Sequence, residues 1–258
     1  MLLPGRGVYP RRMSPTVEGA GVALAYEERG SGPLVLLVHG MADDAAGIAE
    51  LAGTLSSEAR VIAYDRRGYG RSGAPVPYER TTVEEQAEDA AALLRRLDAG
   101  PAVLWGADFG ALVCLDLCKR HRALVRAAVL VDPPLFAFSR LATEALAEER
   151  AVLEDALRSG GPQAAVAVYL ASRGRAREGA DSASARAFFA DYGALAGWPA
   201  TRAQLRALDM ALAVIVSAGA PGHFREAADA LIALAPAARP GDGRDPRTLV
   251  RELLAAAG

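Results

Sequence analysis

From about residue 22 onward the chain shows two kinds of apolar patterning. Residues 22–28 switch between apolar and polar side chains, which predicts an exposed edge strand. Leu34 to Val38 (LVLLV) is apolar throughout, as a strand covered on both faces should be. Runs of the same character recur at 61–64, 102–105 and 127–131, and between them 45–55 and 83–97 place apolar residues at helical spacing. Strands alternating with helices predict a parallel sheet sheathed on both faces.

The alternation breaks after Pro133-Pro134. Residues 135–208 carry only helical periodicity, punctuated by turn signals at Gly160-Gly161-Pro162 and across 174–179. Helix-only sequence inserted into a strand–helix alternation predicts a lid, so the expected organisation is a core of 1–133 and 209–258 with a helical cap at 134–208. Strand patterning resumes at 212–216, a helix is expected over 224–235, and a short connection through Pro240-Gly241-Asp242-Gly243 leads to a last helix at 246–257.

With 258 residues, 52% of them apolar, the chain suits one large α/β domain or a core with a small lid. The net charge of −2 and the lack of a basic block argue against nucleic acid or an anionic membrane surface as partner. Lys119 is the single lysine among 29 basic residues, an arginine bias we ascribe to codon composition. Cys114 and Cys118, four apart in a helical pattern, read as small core residues; two thiols on one helix do not complete a zinc site. No metal or cofactor is called for. Residues 1–13 hold no apolar stretch of secretion-signal length, and no segment approaches the roughly 20 apolar residues that span a bilayer. The expectation is a soluble, cytoplasmic protein.

The most informative segment is Trp105-Gly106-Ala107-Asp108-Phe109-Gly110-Ala111. An apolar strand enters a Gly-x-Asp-x-Gly turn and a helix leaves it. Such a turn needs glycine at positions 106 and 110 because its backbone crowds its neighbours. The central carboxylate then stands at a helix N-terminus, where the dipole favours an anion; alternatively Asp108 is an ordinary capping residue. Val38-His39-Gly40-Met41 follows the central strand, and the Met41 and Phe109 backbone N–H groups are the expected oxyanion-hole donors. His39 shapes that loop without moving a proton. Asp65-Arg66-Arg67-Gly68-Tyr69-Gly70-Arg71-Ser72 forms a glycine-punctuated turn after the next strand. Its Gly68-x-Gly70-x-x-Gly73 matches a dinucleotide fingerprint, but Ala74-Pro75-Val76-Pro77 follows where a helix would have to open, so nucleotide binding is not expected. Val131-Asp132-Pro133-Pro134 closes the strand after the elbow helix.

A His-Gly pair after a strand, DxRGxGxS, the glycine-flanked elbow and LVDPP, in this order, resemble the α/β-hydrolase superfamily over roughly residues 20–258. The resemblance implies an α/β-hydrolase fold, a mostly parallel sheet flanked by helices with a helical cap roofing a pocket. It also implies that Asp108 stands at the nucleophile position, as in epoxide hydrolases and haloalkane dehalogenases.

Two departures from that pattern bear on chemistry. The superfamily's histidine normally precedes the final helix, but here the stretch reads Pro240-Gly241-Asp242-Gly243-Arg244-Asp245-Pro246. Of the three histidines, His121 is expected at the surface and His223, in the loop where relatives often carry their acid, is the candidate base or else a loop residue. Asp132 either orients a histidine or caps its turn. An ester on Asp108 needs a histidine-activated water to break, whereas a carboxyl desolvated under an apolar lid can move protons without covalent chemistry. The expected function is therefore a small-molecule enzyme, of the kind used in natural-product metabolism, in which Asp108 acts as acid or base or opens an epoxide-like electrophile without net hydrolysis. The alternatives are an Asp-nucleophile hydrolase with His223 as base and a binding protein that kept the fold. His39, Phe136, Tyr169, Tyr192 and Trp198 are expected around the pocket of small hydrophobic substrates, aromatic ones included.

Overall fold

A computed structural model of the chain describes residues 15–175, 182–241 and 243–256. Among them, eight strands form one sheet in the order β1-β2-β4-β3-β5-β6-β7-β8. The strands are β1 (Thr16–Glu18), β2 (Ala23–Arg29), β3 (Leu34–Val38), β4 (Arg60–Tyr64), β5 (Ala102–Ala107), β6 (Val125–Val131), β7 (Ala211–Ile215) and β8 (Ala238–Pro240). β2 pairs antiparallel with β1 and β4, so it is not the edge strand its alternation predicts, the edge being taken by the short β1; every pairing from β4 to β8 is parallel. This is an α/β-hydrolase fold. β3, the LVLLV run, lies between β4 and β5 and is buried along its whole length.

Side chains alternate between the two faces, as the strand period dictates. Leu36, Leu104 and Leu130 pack under α2 (Val83–Arg96) and α3 (Phe109–Arg120), whereas Val35, Leu37, Val103 and Val129 join a second cluster beneath α1 (Ala49–Leu55) and α8 (Pro246–Ala255). α2 opens on a capping box between Thr82 and Glu85, and α8 on an Asp245 cap followed by Pro246. Cys114 and Cys118 are buried free thiols on α3. α1 begins at Ala49, not at 45, because the preceding residues are drawn into the loop: Ala45 N–H donates to Asp65 Oδ1 at 2.8 Å. β1 and β8, three residues each, are too short for a periodicity to reveal.

Between β6 and β7 the described residues form only helices and turns: α4 (Ala142–Ser172), α5 (Ser182–Ala194) and α6 (Arg202–Arg206). Gly160-Gly161-Pro162 breaks α4 without ending it, with Gly161 at φ 78° and ψ −174°. Residues 176–181, which include most of the second expected turn, Asp242 in the connection before α8, residues 257–258 at the end of the last expected helix, and the N-terminal 1–14 lie outside the described residues. Buried polar contacts tie the helical segment to the core, among them two that involve a charged side chain and an indole. Arg66 and Asp191 form an ion pair at 2.7 Å with neither side chain exposed, and the Trp198 indole N–H donates to Asp116 Oδ1 at 3.0 Å. Arg67, in the same turn as Arg66, pairs with Asp89 on α2 at 2.6 Å. Among the described residues no helix is long and apolar enough to cross a membrane.

The elbow between β5 and α3 is as crowded as its glycines suggest. A Cβ on Gly110 would lie 2.3 Å from the Val38 carbonyl oxygen, and one on Gly106 would lie 2.5 Å from the Gly110 oxygen. Gly110→Ala should therefore lower stability by about 1–3 kcal/mol or more, the cost of overpacking a site whose neighbours are backbone. Gly193→Ala in α5, where nothing lies within 4 Å of the added carbon, should be neutral or slightly stabilising. Denaturant unfolding of the two variants compares them directly.

Candidate active site

Asp108 occupies the turn from β5 into α3 with φ 52° and ψ −125°, a strained conformation for a residue with a side chain. Its backbone is pinned on both sides, by Asp108 N–H donating to the Val131 oxygen at 2.9 Å and Ala111 N–H donating to the Asp108 oxygen at 2.9 Å. Although Asp108 stands at the N-cap of α3, its side chain makes no capping hydrogen bond. Oδ2 accepts instead from the Met41 backbone N–H at 3.3 Å and from the Tyr169 hydroxyl at 3.0 Å. Oδ1 is buried with no hydrogen-bond partner. The carboxyl thus has one oxygen held by two donors and one left unsatisfied.

Burial pushes the Asp108 carboxyl above the usual carboxylate range, against the opposing pull of the Arg173 guanidinium, the Tyr169 hydroxyl and the Met41 amide. Tyr169, buried beside that carboxylate, is raised well above an ordinary phenol and stays a proton donor to Oδ2. Arg173 lies over the Tyr169 ring at 4.6 Å and pairs with Glu149 at 2.7 Å. Tyr169 and Arg173 come from the arm of α4 beyond the Gly161 break, and Glu149 from the arm before it.

Asp108 lies in the wall of a cavity of about 620 Å³. Ile48, Trp105, Val131 and Phe224 give it an apolar side, and Ser172, Arg173 and Ser217 a polar one. The Trp105 indole nitrogen is buried without a partner. Arg175 and Asp43 form an ion pair at 2.5 Å, and both also line the cavity. Asp132, at φ 47°, is on the wall too. Its carboxylate accepts from the Ser217 N–H at 2.7 Å and the Ser217 hydroxyl at 2.5 Å, joining the end of β6 to the loop after β7; no histidine is among these partners.

The other sequence candidates are distributed unevenly. His39 is buried, with Nδ1 bonded to the Gly40 oxygen at 2.8 Å and Nε2 accepting from Arg66 N–H at 2.9 Å, so both ring nitrogens serve the loop. Phe109 is buried against Arg66, whose guanidinium lies 4.9 Å from its ring centre; of the two expected oxyanion donors, the Met41 amide is the one in contact with the Asp108 carboxylate. His223 sits at the start of α7 (Gly222–Leu234), stacked on Phe224 at 4.7 Å and edge-on to Phe136 at 5.3 Å. There the cavity wall is formed by Pro221 and Phe224, and the His223 Nε2 is buried without a partner. Burial and the nearby Arg173 lower its pKa, which keeps the ring neutral at physiological pH. Phe136 packs on His223 and Phe224, behind that wall. Tyr192 borders a different groove, on the outer side of α4 and α5, and Trp198 is committed to Asp116. Arg173, Arg175, Ser217 and Trp105 were not singled out in the sequence. Arg173 is camouflaged by the general abundance of arginine, although its place at the end of a long helix just before Gly174 is a usable signal.

The family model described as alpha/beta hydrolase fold matches residues 33–169. The uncharacterized hydrolase YraK of Bacillus subtilis is 38% identical over 120 residues, 46% of this chain and 44% of its own length. Bifunctional epoxide hydrolase 2 of Sus scrofa is 31% identical over 115 residues, 44% of this chain and 21% of its own. The chain thus spans less than half the length of these curated relatives. A thermophilic esterase structure from Thermogutta terrifontis, with malate bound, superposes with a TM-score of 0.72 at 25% identity, covering 94% of this chain and 96% of the other.

The raised pKa of Asp108 has a signed consequence for stability. A carboxyl whose folded pKa exceeds its unfolded value favours folding below the unfolded pKa, and loses that contribution as pH rises through the folded one. Asp108→Asn removes the titration. The variant should gain melting temperature relative to the parent at neutral pH, and the gain should disappear below the ordinary carboxylate range. A gain independent of pH between 3 and 8, in thermal scans at about one-unit steps, would count against a desolvated Asp108.

Proposed function

Because the chain belongs to the α/β-hydrolase family, we propose that it is a small-molecule enzyme in which Asp108 does acid–base chemistry at the elbow, without net hydrolysis. The observation that carries this reading is the asymmetry of the carboxyl: Oδ2 held by the Met41 amide and Tyr169, Oδ1 buried and unpartnered, and the pKa raised. A desolvated carboxyl with an unpartnered oxygen is suited to take a proton from a substrate and to return it at another atom, once the side chain turns the buried Oδ1 toward the cavity. The proton count closes on that one residue, so an isomerisation, elimination or cyclisation needs no activated water. The neutral form meets little resistance in this environment, and in the anionic form Tyr169, the Met41 amide and Arg173 share the charge. The apolar wall of Ile48, Trp105, Val131 and Phe224 suits a largely hydrophobic substrate.

A second reading is favoured by the names of the relatives, which are hydrolases and include an epoxide hydrolase. In it a carboxylate oxygen of Asp108 attacks an electrophilic carbon, the carbon–oxygen bond of an epoxide breaks and the ring oxygen takes up a proton to become a hydroxyl; His223 then takes a proton from a water whose oxygen cleaves the ester, and that proton replaces the one consumed, leaving a diol and the free carboxylate. This reading requires His223, whose ring stacks behind Phe224, to reach the cavity.

Turnover in 18O-labelled water, screened over epoxides and apolar substrates with an acidic C–H, separates the two. The acid–base reading expects Asp108→Asn to lower kcat/KM by about 10²–10⁴-fold, with no solvent oxygen in the product and His223→Ala nearly silent. The hydrolase reading expects labelled product, and an adduct on Asp108 that accumulates in His223→Ala and is visible by intact mass. Full activity in Asp108→Asn refutes both.

A further inference from the structure

The loop that carries Met41 is fastened to α5 through one buried carboxylate. Asp191 is fully buried and both its oxygens accept hydrogen bonds. Oδ1 accepts from Gln86 Nε2 at 2.7 Å, and Oδ2 accepts from Arg66 Nη2 at 2.7 Å and from the Tyr69 hydroxyl at 2.8 Å. Two of those three donors continue to the Met41 loop. Arg66 Nε donates to the His39 oxygen and Arg66 Nη2 to the Gly40 oxygen, both at 2.9 Å. The Tyr69 hydroxyl accepts from the Ala42 N–H at 3.4 Å, and its ring meets His39 edge-on at 5.3 Å. Ala42 sits at φ 53°, a conformation that a residue with a Cβ adopts only when its surroundings impose it.

The hydrogen bonds therefore run from Asp191 on α5, through Arg66 and Tyr69, to the carbonyls of His39 and Gly40 and the amide of Ala42. These groups flank the Met41 N–H, which donates to Asp108. On the other side, Phe188, one turn earlier on α5, packs on Tyr169 at 4.9 Å, and Tyr169 donates to the same Asp108 oxygen. The docked helix thus fixes both donors to Oδ2.

We propose that Asp191 is a positioning residue that couples docking of the helical cap to the orientation of the Met41 amide, so that the site around Asp108 is assembled only when α5 is seated. With α5 displaced, Arg66 and Tyr69 lose their common acceptor, the turn at Ala42 relaxes toward negative φ, and the Met41 N–H turns away from the carboxylate. A buried guanidinium deprived of Asp191 would also be an unpaired charge, which makes intermediate positions of the helix unfavourable. The proposal rests on reading Asp108 as the reactive carboxyl, but its test needs no turnover and is read at Met41.

The experiment is amide hydrogen exchange by NMR on the full chain. In Tyr69→Phe, which keeps the ring and removes only the hydroxyl, exchange at the Met41 and Ala42 amides should rise about tenfold, with Leu36 and Leu104 in the central strands unchanged. In the apolar pair Arg66→Met with Asp191→Leu, which leaves no unpaired charge, the melting temperature should still fall, because Gln86, the Tyr69 hydroxyl and the carbonyls of His39 and Gly40 lose buried partners. Protection at Met41 and Ala42 should be lost beyond that global change, which Leu36 and Leu104 report, as methionine holds neither carbonyl. If Met41 and Ala42 rise only in step with Leu36 and Leu104, or not at all, the coupling is refuted. Should the double variant fail to fold, Tyr69→Phe decides alone. Fast exchange at Met41 with wild-type turnover in Asp108→Asn would instead uphold the coupling and remove the acid–base reading.

Discussion

Everything near Asp108 follows from how closely β5 and the start of α3 press against β3. Gly106 and Gly110 leave no room for a side chain between the elbow, Cys114 Sγ and the carbonyls of Val38 and His39. That approach forces the turn to complete itself within one residue, at Asp108, which takes up the positive φ. Because the Asp108 amide is spent on the Val131 oxygen, the strain has no local escape. The carboxylate is then delivered to the upper end of the sheet whatever the cavity contains. Positive φ angles at Ala42 and Asp132 belong to the same rim, so three strand ends meet there in conformations that the packed sheet below must hold.

The electrostatics of the rim are balanced, not extreme. Desolvation of Asp108 is opposed by two arginines, Arg173 and Arg175, a phenol and an amide, none of which hydrogen-bonds to Oδ1. Two of those counterweights, Tyr169 and Arg173, arrive from α4, and Arg173 is itself divided between the rings of Tyr169 and Phe224 and the carboxylate of Glu149. The character of the carboxyl is thereby set by the helical segment more than by the sheet. In a family whose core geometry recurs across many chemistries, this is where one member is expected to differ from another.

The fold was legible in the sequence because its strongest signals are local. LVLLV, short and bounded by Gly-Pro and His-Gly, reads as a doubly covered strand, and Gly106-x-Asp108-x-Gly110 states a steric requirement outright. The position of Asp108 follows from those alone. What surrounds it does not, because it comes from contacts across more than sixty residues: Tyr169 reaches Asp108 over a separation of 61 and Arg175 reaches Asp43 over 132. Tyr169 was available as a tyrosine of the helical segment, but Tyr192 and Trp198 had the same credentials and face elsewhere, one into an outer groove and the other onto Asp116. A helical period says which residues share a stripe and nothing about which helix the stripe will meet. Arg66 shows the converse error of emphasis: within the glycine-punctuated turn it drew no attention as a single residue, yet it is fully buried and carries contacts to three elements.

The break at Gly161-Pro162 divides α4 into two levers with different duties. The arm beyond the break ends in Tyr169 and Arg173 and is committed to Asp108. The arm before it is held to the site chiefly by Glu149 on Arg173, and much of its surface is exposed. Because Gly161 takes a conformation that no regular helix transmits, a change of tilt in the outer arm is absorbed at the joint. The outer arm, whose Leu146, Arg150 and Leu157 line the outer groove and not the cavity beside Asp108, can therefore drift in sequence or be exchanged by an engineer while the inner arm keeps Tyr169 and Arg173 against the carboxyl. The joint separates a surface open to change from the groups that hold Asp108.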